Sequence, residues 1–453
     1  MSNREREIFT CALELAEERR AAFLDAVCAS DTALRERLER LLRASDSAGP
    51  FLLDSDSELG ERPGTLIGPY RLEARLGEGG FGIVWRAMQE TPVRRLVALK
   101  IIKLGMDTRA IVARFAAERQ ALALMNHPNI ARVFDAGATE TGRPYFVMEL
   151  VEGATITRYC REQRLSINAR LQLFLQVCAA VQHAHQKGIV HRDLKPSNVL
   201  VTVGDGAPRV KVIDFGIAKA TREPVEGDSL VSRLHVFLGT PAYMSPEQLR
   251  HGEGGVDTRA DVYALGALLH ELLTDAPPFD LQGLSGSLGF VEIERVVRET
   301  EAMPPSRRLA KVNLAVVAHE RRTTPARFLA TVRGDLDQIV LKCLEKDRDR
   351  RYGTVHALAR DIERFLNQEP VVARAPTLAY RAEKFCRRHT RAVVATAIAG
   401  VAVIGFAWYH GHRLATERDR AREEANKARR VSELLTGVLR RRIRFVRRAR
   451  GPR

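Results

Sequence analysis

Paired cysteines, aromatic side chains and long apolar runs are all scarce in this chain of 453 residues. The six cysteines (Cys11, Cys28, Cys160, Cys178, Cys343, Cys386) show no C-x-x-C spacing, so neither a zinc framework nor a disulfide scaffold is encoded, and reduced thiols in a cytosolic compartment are expected. Aromatic residues make up only 6% and do not interleave with Lys and Arg as they do in single-strand binders. The net charge is +16, but residues 410–453 alone hold 15 Lys/Arg against five Asp/Glu, so most of the excess belongs to a tail and no nucleic-acid partner is expected. Residues 1–6 are charged and no apolar stretch follows them, which argues against a secretory leader. Internal repeats of 20–50 residues are missing too. His183 and His185, two apart on a helical stretch, point to different faces and read as helix-surface histidines rather than metal ligands.

What is present suits a large core: 45% hydrophobic and 28% charged residues. Residues 1–60 carry helical periodicity (Phe9, Leu13, Phe23, then Leu34, Leu38, Leu41), with Asp31 placed as an N-cap. Residues 61–69 close a Ser-, Asp-, Gly- and Pro-containing linker, and strands begin at Tyr70. The segment Gly77-Glu78-Gly79-Gly80-Phe81-Gly82-Ile83-Val84 lies between two β-rich stretches and reads as a glycine-rich hairpin whose backbone N–H groups can approach phosphates. Val97-Ala98-Leu99-Lys100 follows, an apolar strand with one lysine that requires an anionic partner. A phosphate is one candidate. Glu118 is a second partner, paired with Lys100 as an ion pair, since Ile111, Phe115, Leu122 and Met125 recur at helical spacing around it; the alternative is a solvated helix-face glutamate.

His191-Arg192-Asp193-Leu194-Lys195-Pro196-Ser197-Asn198 sets an acid, a base and an amide close together, and Asp214-Phe215-Gly216 ends a later apolar strand. In this order and spacing the motifs resemble those of protein kinases, over residues 70–366. The resemblance implies an α+β bilobal kinase fold, with a β-rich N-lobe and an α-helical C-lobe, flanked by the small helical preface and a C-terminal transmembrane helix. It also implies ATP and Mg²⁺. Asp193 would act as catalytic base and Lys195 as charge stabiliser, with Asn198 and Asp214 as metal ligands. Residues 76–84, that is Leu76 with the glycine-rich segment, would cover the nucleotide with Ala98, Lys100, Glu118 and Leu200, and the adenine would meet the backbone of Glu149 and Val151. Read from periodicity alone, the stretch around Glu149 is equally a plain buried strand. Gly239–Glu247 is similar to the end of an activation segment, with Ser245 where many members have Ala; Arg351 matches the position that pairs with the Glu247 equivalent. Lys195 and Thr240 match serine/threonine rather than tyrosine kinases. Arg192, directly before Asp193, implies activation by phosphorylation among Thr221, Ser229, Ser232 and Thr240. Residues 281–334 read as a longer, irregular segment between helices.

Residues 392–409 contain no charge and span about 27 Å as a helix, close to a ~30 Å hydrocarbon core, with Trp408 and Tyr409 at one end. A membrane span is expected, the alternative being a buried or interfacial helix. Residues 367–391 would be juxtamembrane and 410–453 a basic tail, solvated or lipid-associated. This layout is similar to bacterial single-span receptor-like kinases, with the catalytic domain on the cytoplasmic side of the plasma membrane. Protein substrates and a possible homodimer belong to the same expectation, and a nucleotide-binding scaffold without transfer is the alternative in another class.

Overall fold

The computed structural model describes residues 61–79, 82–102, 125–204, 206–215, 241–249, 256–281, 286–311 and 314–449, with a few positions between 24 and 40. Gly80, Phe81, Glu118 and the activation-segment hydroxyls Thr221, Ser229, Ser232 and Thr240 lie outside them. Two compact units are present, residues 1–152 with 217–239 and residues 153–216 with 240–453.

The first unit is built on an antiparallel sheet of six strands: β1 (Leu66–Ile67), β2 (Tyr70–Gly79), β3 (Gly82–Gln89), β4 (Arg95–Ile102), β5 (Val133–Ala138) and β6 (Pro144–Glu149), in the order β1-β2-β3-β4-β6-β5. Part of the stretch read as linker is thus a strand, with Ile67 paired to Tyr70. Alternation decides which side chains go inward. Trp85, Ala87, Val97, Leu99, Ile101 and Val147 form the core with Tyr70 and Leu72. Tyr70 Oη donates to Asp135 Oδ2 at 2.9 Å. The buried Arg143 is neutralised by Glu61, 2.8 Å away. Among the few described positions near the N-terminus, Asp31 caps as expected, its carboxylate accepting from Leu34 N at 3.0 Å.

The second unit is mainly helical. A small sheet, β7 (Ala154–Thr155), β8 (Val199–Gly204) and β9 (Ala207–Val212), precedes the main helices in space order β7-β8-β9. The helices are α1 (Ile156–Glu162), α2 (Ile167–Gln186), α3 (Pro246–Leu249), α4 (Thr258–Thr274), α5 (Gly286–Glu299), α6 (Pro305–Leu309), α7 (Leu314–Glu320), α8 (Pro325–Val332), α9 (Asp335–Cys343), α10 (Val355–Leu366), α11 (Leu378–Arg388) and α12 (Thr390–Ala449). The expectation of an irregular stretch at 281–334 is therefore corrected: α5 to α8 occupy it. Pro305 and Pro325 sit in first turns, where a missing N–H costs nothing, and start helices there. α4 is apolar on nearly every side and runs through the core, begun by Asp257, whose side chain accepts from Arg259 N. Gly266 on α4 must be glycine, because an added Cβ would stand 2.4 Å from Cys343 Cβ.

His270 is enclosed on α4, with Nδ1 2.9 Å from Ala276 O. Burial pushes its imidazole down to about 4 from an ordinary 6.5. As pH falls, the unfolded chain takes up the proton first, so this contribution to stability is complete above 6.5 and is lost towards 4, on the order of 3 kcal/mol in all. The urea midpoint of the wild type should accordingly drop more between pH 7 and pH 4.5 than that of His270→Asn, which keeps a donor near Ala276 O but cannot titrate. Equal drops would remove His270 from the account.

α11 docks on its own unit rather than hanging free as a plain juxtamembrane tether. Lys384 is buried with its ammonium 2.7 Å from Asp335, and Tyr380 Oη accepts from Val371 N. One residue later α12 begins and continues for 60 residues. It is the one helix among the described residues long and apolar enough to cross a membrane, and its apolar part is exposed throughout.

Candidate active site

In the first unit, Val84, Ala98 and Lys100 among the expected nucleotide residues share the face of the sheet opposite the core, while Ile83 packs against the core. Cross-strand register sets Lys100 beside Val84 and Phe146, and Ala98 beside Met148. Because Val97, Leu99 and Ile101 take the core side of β4, Lys100 falls on the other face, half-buried. Leu76, Gly77, Glu78 and Gly79 lie on β2 and Gly82, Ile83 and Val84 on β3, with Gly77 opposite Val84, Glu78 opposite Ile83 and Gly79 opposite Gly82. Gly82 has a steric reason: a Cβ there would lie 2.2 Å from Ile101 O. Around Gly77 and Gly79 an added Cβ would meet nothing within 4 Å, so these two leave backbone open to a ligand. Glu78 pairs with Arg75. At the end of β6, Glu149 N donates to Arg132 O at 2.8 Å, and Val151 follows two residues later, half-buried.

In the second unit the loop from His191 to Asn198 is held from below. Asp261, in the first turn of α4 and 1% exposed, accepts from three donors: His191 N at 2.8 Å, Arg192 N at 2.9 Å and His185 Nε2 at 2.7 Å. Burial alone would raise its pKa, but the His185 hydrogen bond and charge outweigh that and hold it below the usual carboxylate range. His185 is therefore not a helix-surface histidine; only 6% of its side chain is exposed. The same anchoring lets Arg192 adopt φ 61°, a left-handed conformation that L-residues avoid.

That turn presents Asp193. Lys195 Nζ stands 3.0 Å from Asp193 Oδ2, and Asn198 Nδ2 donates to Asp193 O at 2.8 Å and to Oδ2 at 3.2 Å. With its amide hydrogens spent on Asp193, the other function of Asn198 is its oxygen, a hard donor suited to a divalent cation. Asn198 stands just before β8, and its carbonyl accepts from Ile213 N at 2.9 Å beyond β9. Since Val199 pairs with Val212, Asn198 and Asp214 sit at the same end of one hairpin. Asp214 also has a left-handed backbone, φ 58°. Leu200 on β8 is half-buried and pairs with Thr155 and Lys211. His191 packs its ring 4.5 Å from that of Phe215 and brings Nε2 within 3.2 Å of Ile213 O.

A second brace comes from the short helix α3. Gln248 Nε2 donates to Arg192 O at 2.7 Å while its Oε1 accepts from Ser245 N and Oγ. In the sequence Ser245 reads only as an exchange for Ala, and no motif marks Gln248. Alongside, Glu247 forms a two-pronged pair with the buried Arg351, at 2.6 and 2.8 Å.

Residues 70–362 match the protein kinase domain family. The chain belongs to that family. Curated relatives of this kinase include serine/threonine-protein kinase Pkn1 of Myxococcus xanthus, 35% identical over 66% of this chain and 38% of the relative, and serine/threonine-protein kinase PknB of Mycobacterium tuberculosis, 36% identical over 68% and 44%. The kinase thus spans about two-fifths of the length of the relatives it matches. Among solved structures, the kinase domain of Mycobacterium tuberculosis PknI aligns with 68% of this chain and 99% of its own at 23% identity and a TM-score of 0.48.

Proposed function

We propose that this kinase transfers the γ-phosphoryl group of ATP to serine and threonine hydroxyls of proteins. The observation that carries the reading is the constraint on Asp193: its carboxylate is fixed by Lys195 and Asn198 on a loop whose backbone is tied to the buried Asp261. An ionised carboxylate so placed accepts the proton of an incoming hydroxyl and orients its oxygen. Lys195, a fixed cation beside it, offsets negative charge on the transferred group. In the first unit, Lys100 would hold the nucleotide phosphates, with the open backbone at Gly77 and Gly79 and the apolar surface of Val84 and Ala98 beside them, and with the backbone of Glu149 and Val151 toward adenine. The donor set of Asn198 and Asp214, one amide oxygen and one carboxylate, fits Mg²⁺, which when bound neutralises phosphate charge. The relatives' printed names support the serine/threonine preference.

The layout we propose has the kinase domain at 70–366 and a span at 392–409 that anchors the chain in a bacterial plasma membrane, with the catalytic domain facing cytoplasmic ATP; the helical preface expected at 1–60 lies almost entirely outside the described residues. The exposed apolar part of α12 supports the span. Small residues at Ala395, Ala399 and Gly400 would let two such helices approach closely as a homodimer.

Incubating the full chain with γ-labelled ATP and Mg²⁺ tests the activity. Acid-stable label on serine and threonine of the kinase or of an added protein is expected. Nucleotide binding with no label would replace the reading with that of a scaffold.

A further inference from the structure

Most arginines described in the second unit are matched to a carboxylate: Arg259 to Asp257, Arg351 to Glu247, Arg364 to Asp361, Arg374 to Asp335. Three of those for which no ion pair is described, Arg164, Arg322 and Arg327, converge. A cavity of about 460 Å³ is lined by Arg164, His319, Arg322, Thr323, Thr324 and Arg327. It contains no carboxylate. Arg164 comes from the turn between α1 and α2 and the other five from the end of α7, the connection to α8 and the first turn of α8. Arg164 (φ 48°) and Arg322 (φ 55°) both hold left-handed backbones.

Beneath the cavity the two turns are clamped by a buried ion cluster with two cations and one anion. Arg170 reaches Asp275 Oδ1 at 3.0 Å, and Arg321 reaches Asp275 Oδ2 at 2.9 Å. Arg170 also donates to Cys160 O and Leu272 O, while Arg321 stacks over Phe328 of α8. Arg321 Nε is buried without a hydrogen-bond partner. The clamp ties the two turns that carry Arg164, Arg322 and Arg327 to one another. Unpaired like charges gathered at one place repel one another, and an anion removes that cost.

We propose that this cavity binds the phosphorylated side chain of a serine or threonine in a protein. Planar guanidinium forks suit a phosphate dianion better than a single carboxylate, and the hydroxyls of Thr323 and Thr324 stand with them as further donors. A nucleotide is disfavoured because the lining offers only the His319 ring for stacking a base. A lipid surface is disfavoured because it offers no apolar side chain for insertion. The choice of phosphoserine or phosphothreonine rests on the proposed transfer reaction, which makes that group; the cation cavity itself does not.

The test is a binding measurement on the full chain carrying Asp193→Asn, so that it is independent of transfer. Fluorescence anisotropy is followed with a labelled phosphothreonine peptide, its unphosphorylated twin, and vesicles of phosphatidylglycerol. The phosphopeptide should bind at least about tenfold more tightly than its twin, and inorganic phosphate should compete. Adding Arg322→Gln with Arg327→Gln should weaken it by about tenfold or more at an unchanged melting temperature, and Arg164→Gln, on the other turn, should weaken it independently. Equal binding of the two peptides, indifference to both sets of substitutions, or binding of vesicles alone would each overturn the proposal. Peptide binding by a chain whose wild type shows no transfer would leave the cavity standing and remove the enzymatic reading; transfer without peptide binding would do the reverse.

Discussion

Asp193→Asn should lower the rate of phosphoryl transfer by about a thousandfold or more while leaving the protein folded. The amide has the shape of the carboxylate but cannot take a proton from a hydroxyl. Its oxygen can still accept from Lys195 and Asn198, whose bonds to Oδ2 of Asp193 hold the loop. The Asp261 anchor lies under the backbone of residues 191 and 192 and is untouched by the change. Initial rates with saturating ATP, together with circular dichroism melting, separate the effects. A rate within tenfold of wild type at an unchanged melting temperature would withdraw the base role from Asp193.

Arg351→Ala should be the most destabilising single truncation in the second unit, by about 3–5 kcal/mol. Arg351 is 4% exposed; its guanidinium binds both oxygens of Glu247 and also donates to the carbonyls of Glu345, Lys346 and Arg259. Burial pushes the Glu247 carboxyl up, but hydrogen bonds and charge from Arg351 pull it below its ordinary value. A carboxylate so depressed contributes stability that is present above its unfolded pKa and lost as pH falls through the folded one. Without Arg351 burial wins, and Glu247 is left as an unpaired charge or takes up a proton. Thermal melts of wild type, Arg351→Ala and the double variant Glu247→Leu with Arg351→Met give the check. The double variant should recover much of the loss, since the penalty comes from stranding one charge rather than from lacking the pair. A single variant that melts within 2 °C of wild type would refute the argument.

Local patterns made much of the fold legible. The alternation in residues 97–101 and the glycines of residues 77–82 announce strands and a hairpin because strand periodicity and glycine's tolerance act over a few residues. The Glu247–Arg351 pair was readable from the kinase resemblance, as was the cluster from Asp193 to Asn198. What stayed hidden depends on distant partners. His185 looked like a surface residue because nothing in its helix reveals Asp261, 76 positions away. Arg170 and Arg321 are long cations that by composition belong outside, yet both are buried because Asp275 lies between them, at a helix end that turns left-handed with φ 58°. The helices between 286 and 332 are short pieces of five to fourteen residues, too brief for a sustained periodicity to announce each of them.

The two left-handed residues of the catalytic loop and hairpin, Arg192 and Asp214, have a consequence for how this protein can evolve. Each holds a side chain where glycine would rest without steric penalty, at a cost of roughly 1 to 3 kcal/mol. Selection for heat resistance alone would drift toward glycine at both positions, and on the role proposed for Asp214 the sturdier protein would lose a metal ligand. On the roles proposed above, keeping Arg and Asp there gives up stability beside the site, and at Arg192 the hydrogen bonding of Asp261 beneath the loop is the compensation.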